Sequence, residues 1–305
     1  MHVAVTGGAG FIGAQTCRAL LEAGHRVTAV DDLSHGRREA LPPGVELVVL
    51  DVRAPQLAEE LAGRKPDAVL HLAAQMDVRR SVADPVHDAS VNVLGTVNAL
   101  EAASRAGARR FVFASSGGAV YGEQSEFPAR EEHPRRPASP YGVSKLCGEE
   151  YLELKRRGGL SAASLRYANV YGPGQDPLGE AGVVAIFLHR MLSGGEPVIN
   201  GDGEQTRDFV YVDDVARANL LALTGSAGGP LNVGTGCETS VNELARKLAR
   251  AAGYGRPIAH APPAPGEQRR SCIDPGAARA RLGWEPSVGL DEGLQRTADW
   301  FRARR

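Results

Sequence analysis

The first thirteen residues constrain this chain more than any other stretch. His2-Val3-Ala4-Val5-Thr6 is a short apolar run of the kind that forms a parallel strand buried on both faces. It leads directly into Gly7-Gly8-Ala9-Gly10-Phe11-Ile12-Gly13. Helical periodicity follows over residues 11–23, with Phe11, Cys17, Leu20 and Leu21 in phase, until Gly24 stops it. Arg26-Val27-Thr28-Ala29-Val30 then reads as a second strand ending on Asp31-Asp32. Strand, glycine turn, helix, strand and terminal acid together form a βαβ unit with a dinucleotide fingerprint. Its glycines let the backbone approach a pyrophosphate, while the helix N-terminus offers free N–H groups and positive potential. Gly7, Gly10, Phe11, Ile12 and Gly13 are therefore the expected cradle. Asp31, with Asp32 beside it, is expected to accept hydrogen bonds from ribose hydroxyls. A carboxylate there repels a 2′-phosphate, so NAD is favoured over NADP.

The alternation continues through the first half. Residues 45–50 read as a strand ending at Asp51-Val52, and residues 55–63 as a short helix. The next strand, 68–74, closes on Leu72-Ala73-Ala74, where small side chains let a cofactor lie against the backbone. One long helix is expected over 84–106, with Asn92 in mid-course. A strand over 110–114 then ends at Ser115-Ser116-Gly117-Gly118. A polar, proline-rich loop precedes a helix from Tyr141 to about Arg157, and residues 162–167 form a sixth strand. Six strands with intervening helices predict a Rossmann-type, doubly wound parallel sheet of the α/β class.

After residue 168 the strict alternation fails. An apolar helix over 182–192, short strands over 197–200 and 209–212, and helices over 241–252 and 289–303 predict a smaller mixed α/β lobe. The expected division is 1–168 for the cofactor domain and 169–305 for the lobe, with segments near 209–235 returning to the main sheet.

Composition narrows the function classes. The net charge of −1 and pI near 6.7 argue against a nucleic-acid surface or a polybasic membrane anchor. Cys17, Cys147, Cys237 and Cys272 lack CxxC or Cys/His ligand spacing, so no metal is expected and the thiols read as reduced, in a cytoplasmic protein. No apolar run approaches membrane-spanning length, and Met1 leads directly into a strand. Neither a signal peptide nor a membrane span is expected.

Chemistry is expected at Tyr141-Gly142-Val143-Ser144-Lys145. Residues i and i+4 share a helix face, so a phenol and an ammonium point into one pocket. The cation stabilises the phenolate and brings the tyrosine towards the range of a general base. Chance alone would supply this spacing in about one such chain in ten, so the pair gains weight only from its setting. That setting is an NAD loop and a strand ending in serines, where a hydroxyl can hold a substrate alcohol beside the phenolate.

The chain resembles the extended short-chain dehydrogenase/reductase superfamily, and within it the UDP-glucose (UDP-galactose) 4-epimerases. The likeness runs nearly end to end. It rests on the glycine loop, Asp51-Val52, His71-Leu72-Ala73-Ala74-Gln75, Asp77-Val78-Arg79, Asn92 and Ser116-Gly117-Gly118-Ala119-Val120-Tyr121-Gly122. It continues through the Tyr141–Lys145 motif, Leu165-Arg166-Tyr167-Ala168-Asn169-Val170-Tyr171-Gly172-Pro173 and Arg207-Asp208-Phe209-Val210-Tyr211-Val212-Asp213-Asp214-Val215. The resemblance implies that the glycine loop, Asp31, Asp51, Val52, Ala73, Asn92 and Tyr167 touch NAD, with Leu72, Ala74, Ser115, Tyr141 and Lys145 alongside. It implies a UDP-sugar substrate, with Asn169 on the diphosphate or uridine, Arg207 neutralising the diphosphate and Glu267 on the uridine ribose. Bland roles stay open: Asn169 as a turn cap, Arg207 as a partner of Asp208 or Asp213. Homodimerisation through the helices near 84–106 and 141–157 is likewise implied.

Three positions depart from the family pattern. The usual catalytic hydroxyl falls on Gly117, so Ser116 is the expected substitute, with Ser115 as the alternative. A diphosphate-binding arginine is replaced by Ala264, leaving Arg269, Arg270 or Arg207 alone to serve. Ser271 stands near a position where residue size admits or excludes N-acetylated sugars, and serine is small. A 4,6-dehydratase is disfavoured, because Gly118 and Ala119 occupy the positions of its acidic pair. A UDP-glucuronate 4-epimerase or decarboxylase remains the nearest alternative. A non-catalytic NAD-sensing protein would be expected to lose Tyr141 or Lys145.

Overall fold

In the computed structural model, which describes residues 1–178, 182–263, 266 and 268–304, the buried runs of the first half form one sheet. Its strands are β1 (His2–Thr6), β2 (Arg26–Asp31), β3 (Glu46–Val49), β4 (Ala68–His71), β5 (Arg110–Ser116) and β6 (Ser161–Tyr167). A seventh strand, Gly229–Val233, pairs with β6. All neighbours are parallel, in the order β3-β2-β1-β4-β5-β6 with the seventh strand outermost. The order reverses between β1 and β4, and a crevice opens at that point beyond the carboxyl ends of the strands.

Alternation along each strand feeds two cores. Val3 and Val5 of β1 face one side, where Cys17 and Leu20 of the Phe11–Glu22 helix meet Val215, Ala218 and Ala222 of the Val212–Thr224 helix. Ala4 faces the other side, with Leu57 and Leu61, Leu100, and Leu152 of the Pro140–Arg157 helix. A third core, around Tyr171, Phe187, Leu188, Leu244, Leu248 and Leu294, belongs to the smaller lobe. There the Asn169–Tyr171 strand pairs with Phe209–Tyr211, and Thr206–Arg207 lies between Thr239–Ser240 and Arg270–Ser271.

Four features differ from the sequence expectations. The helix expected over 84–106 is α-helical over Pro85–Ala89 and Gly95–Arg105 but opens into a π turn over Ser90–Leu94. Gly95 N donates to Ser90 O, five residues back, and buried Asn92 anchors the widened turn. The strand expected over 68–74 ends at His71, so Leu72, Ala73 and Ala74 lie in the loop beyond it. Of the segment near 209–235, the Val212–Thr224 helix and the Gly229–Val233 strand join the main sheet, whereas Phe209–Tyr211 pairs within the lobe. The chain also returns later than expected: Ala278 of the Gly276–Leu282 helix and fully buried Trp284 pack into the first core. Trp284 Nε1 donates to Asp214 O at 2.8 Å. The alanine- and arginine-rich run 276–282 has too little apolar periodicity to announce that helix.

Candidate active site

The glycine loop carries the nucleotide end of the crevice. Gly7 has φ of +69°, and a Cβ there would lie 2.6 Å from Ala73 N, so the loop after β4 is pressed against it. A Cβ at Gly13 would lie 2.1 Å from Gly7 O, which lets the first turn of the helix close onto the loop. Asp31 uses both oxygens to fix this end, accepting from Ala9 N and Leu33 N at 2.9 Å each. Burial pushes its pKa up, against the lowering effect of those two amides. Asp32 accepts from Ser34 N and Oγ, and Asp51 accepts from the Arg53 guanidinium, which holds its carboxyl below the usual range.

The reacting end is built by the Pro140–Arg157 helix. It starts where it does because Ser139 Oγ accepts from Gly142 N at 3.2 Å and Pro140 occupies the first turn, while Lys155, Arg156 and Arg157 complement its far end. Tyr141 therefore lies in the first turn and Lys145 directly below it. Lys145 Nζ is 5.7 Å from the centre of the Tyr141 ring, and it donates to Ala114 O at 2.9 Å. Burial lowers the Lys145 pKa from 10.5 to about 8, with Asp88 and Glu149 acting in the opposite direction.

One cavity of about 310 Å³ joins the two ends. Gly7, Gly10, Phe11, Ile12, Gly13, Asp31, Asp32, Asp51 and Val52 line it, as do Leu72, Ala73, Ala74, Ser115, Tyr141, Lys145 and Tyr167. Asn92 stands behind the wall: its Oδ1 accepts from Gln75 N and its Nδ2 donates to Gln75 O, both at 2.8 Å. It holds the Gln75 loop in place instead of forming the surface. The elongated, glycine-floored shape, the helix N-terminus and the Asp31 carboxylate fit a dinucleotide.

The two serines of β5 part company. Ser115 is in register with Arg166 and Ser116 with Tyr167, so they point to opposite faces of the sheet. Ser115 shares the Tyr141 side, and its Oγ donates to Glu149 Oε1 at 2.6 Å. Tyr167 reaches Asn219 on the other side, at 2.6 Å, and Ser116 points with it. Of the three expected catalytic residues, Tyr141 and Lys145 line the cavity and Ser116 does not. A Cβ at Gly117 would meet Ile273 Cδ1 at 2.8 Å.

The expected substrate residues gather beside Gly118, whose Cβ would lie 3.6 Å from Ser271 Oγ and 4.0 Å from Asn169 Oδ1. Ser271 is buried and is the register partner of Arg207, whose Nη1 donates to Thr206 O at 2.7 Å. Arg269 pairs with Asp202, and Arg270 pairs with Glu238 while stacking on Phe127. Glu267 and Ala264 lie outside the described residues.

Sequence reasoning missed the buried support of this site. Glu149 accepts from Arg166 at 2.9 and 2.7 Å, and Arg166 also donates to Tyr121 OH at 2.8 Å. The i, i+4, i+8 spacing of Tyr141, Lys145 and Glu149 was the available signal. His71 lies within a quoted motif yet carried no role. Thr96 Oγ1 donates to Asn92 O (2.7 Å) and so accepts from His71 Nε2 (3.0 Å), which leaves Nδ1 to accept from Thr6 Oγ1 (2.7 Å). Burial, and to a lesser extent Lys145, lowers the His71 pKa to about 3, so the ring is a neutral strut.

Fold and cavity define a dinucleotide-binding α/β protein with a tyrosine–lysine pair at the mouth of its cofactor cleft. Residues 3–234 match the profile of the NAD dependent epimerase/dehydratase family. The chain belongs to that family, within the extended short-chain dehydrogenase/reductase superfamily. It is 48% identical to a UDP-glucose 4-epimerase of Mycolicibacterium smegmatis over 99% of each chain. Among solved structures it is similar to the UDP-glucose 4-epimerase of Thermotoga maritima with UDP-glucose, at TM-score 0.97 and 46% identity, covering 100% of this chain and 99% of that one. The NAD complex of the Thermus thermophilus UDP-glucose 4-epimerase gives TM-score 0.95 and 46% identity, covering 100% of both.

Proposed function

We propose that this protein is a UDP-sugar 4-epimerase acting on UDP-glucose and UDP-galactose through a 4-keto sugar. The observation that carries the reading is the Tyr141–Lys145 pair on the wall of the dinucleotide cleft, in a chain similar over nearly its whole length to proteins of that name. When bound in this cleft, NAD would supply the hydride acceptor and donor for sugar C4. Tyr141 takes the proton of the 4-hydroxyl and later returns it. Lys145 stabilises the Tyr141 phenolate and holds the cofactor ribose in place. Asn169, Arg207 and Glu267 grip the nucleotide, while the sugar is left few polar contacts and can turn to offer its other face.

Small, buried Ser271 beside Gly118 supports acceptance of N-acetylated sugars by the same site. An exposed apolar stripe along the helices that flank Tyr141, comprising Val82, Val86, Leu94, Val143, Tyr151 and Leu154, supports a homodimer through that face. No helix among the described residues is long and apolar enough to cross a membrane. With its free thiols, the protein is assigned to the cytoplasm. The cofactor domain is assigned to residues 1–168 with later returning segments, and the substrate lobe to the remainder.

The test is incubation of purified protein with UDP-glucose, UDP-GlcNAc and UDP-glucuronate separately, without added NAD, followed by NMR of the products. The C4 epimer of UDP-glucose is expected. No C4 epimer from any of the three would overturn the proposal, and a 4-keto-6-deoxy product would make the protein a dehydratase.

A further inference from the structure

Asp88, in the Pro85–Ala89 turn, is fully buried. Its Oδ1 accepts from Gln75 Nε2 (3.0 Å) and Asn92 Nδ2 (2.9 Å), and its Oδ2 accepts from Ser144 Oγ (2.7 Å). These donors come from the loop after β4, the π turn and the Tyr141 helix, which together frame the reacting end of the cleft. All three are neutral. A buried carboxylate held by neutral donors alone is strongly disfavoured unless a cation stands nearby.

Lys145, the residue after Ser144, is in the converse position. It is buried, and its ammonium donates to a neutral carbonyl, Ala114 O. Two carboxylates act on it through space, Asp88 more strongly than Glu149. The Glu149 charge is already matched by a two-pronged contact with Arg166, and Arg135 Nη1 lies 3.8 Å from Glu149 Oε2. From β4, His71 faces Lys145 as a neutral ring, and Tyr141 faces it from its own helix. Asp88 is thus the carboxylate whose described partners leave its charge unbalanced.

We propose that Asp88 is the counter-charge of Lys145, and that the same carboxylate is the positioning residue that locks the Gln75 loop and the Asn92 turn onto the Tyr141 helix. Burial drives the Lys145 ammonium towards losing its proton, and Asp88 opposes that loss. The proposal goes beyond the UDP-sugar reading, and its test needs no substrate.

Only four lysines occur in the chain, Lys65, Lys145, Lys155 and Lys247, so each can be followed by NMR of lysine labelled at Cε in the NAD-loaded protein. Lys145→Met assigns the Lys145 signal by its disappearance. In Asp88→Asn, Oδ1 still accepts from both amides and the new NH2 donates to Ser144 Oγ, so the shape survives without the charge. The Lys145 midpoint is expected to fall by about one pH unit or more. Asp88→Ser removes the charge with a smaller side chain, should the asparagine be crowded. Ser144→Ala keeps the charge and is expected to leave the midpoint near its original value. An unmoved midpoint in either folded charge-removing variant overturns the proposal. An equal fall in Ser144→Ala overturns it too, because loosening would then explain the effect. Should UDP-sugar turnover prove absent, the Lys145 titration still gives its own answer.

Discussion

Lys145 donates from Nζ to the carbonyl of Ala114 at 2.9 Å, which ties the Tyr141 helix to β5 through a buried ammonium. Burial holds the Lys145 pKa at about 8, below its ordinary 10.5. Between those values the unfolded chain binds more protons than the native one, so the stability contributed at this site rises with pH. Lys145→Met is therefore expected to raise the melting temperature at pH 7, by a margin that narrows from pH 8 to about pH 10. Turnover of the unaltered protein should decline as pH rises through about 8, where the ammonium is lost. Paired melting curves and a pH–rate profile check both; a margin that widens with pH would refute the sign.

Gly7 is expected to be irreplaceable by alanine. Its φ of +69° costs an L-residue roughly 1–2 kcal/mol, and the added Cβ would lie 2.6 Å from Ala73 N. Gly7→Ala should emerge from purification with far less bound NAD and a lower melting temperature. Absorbance of released cofactor measures the first. Normal NAD content would show that the loop after β4 can move aside.

The Glu149–Arg166 pair lies under the site, with 5% and 1% of its side chains exposed. Glu149→Leu strands a buried guanidinium and is expected to cost about 3–5 kcal/mol in urea unfolding. Adding Arg166→Met should recover much of that loss, because a matched apolar pair has no charge to desolvate. If the double variant were as unstable as the single one, the pair's hydrogen bonds to Ser115 and Tyr121 would matter more than its charges.

Ser115 and Ser116 point to opposite faces of β5, so alanine at each should act differently. Ser115→Ala is expected to show the larger loss of turnover, since Ser115 lines the cleft and its hydroxyl holds Glu149. The converse ranking would mean that the sugar is held from the Gly118 side of the strand end, where Ser271 and Asn169 gather.

Much of this was legible because the main sheet obeys strong local rules. A glycine turn between β1 and a helix, and an acid closing β2, fix both topology and nucleotide end. Tyr141 and Lys145 were legible from helical spacing. Asn92 stood out by motif, yet its position behind the cleft wall depends on the π turn, which leaves no periodic signature. The family resemblance pointed to Ser116 with Ser115 as the alternative, whereas the face of β5 that each serine takes follows from ladder register with β6. Glu149 and Arg166, distant in sequence, become partners only when helix and strand pack. The short lobe strands, two or three residues long, are set by tertiary contacts and carried almost no pattern.

The π turn over Ser90–Leu94 gives one helix two phases. The extra residue rotates everything after it by about a hundred degrees relative to a continuous α-helix. Upstream, that helix offers Asp88 to the interior and Val86 to solvent; downstream, it buries Ala99, Leu100 and Ala103 against the sheet. Removing any one residue from the turn would restore regular winding and put one half out of step with its surroundings. The widened turn therefore makes chain length here a matter of phase: one residue fewer would turn a whole half of the helix against its neighbours.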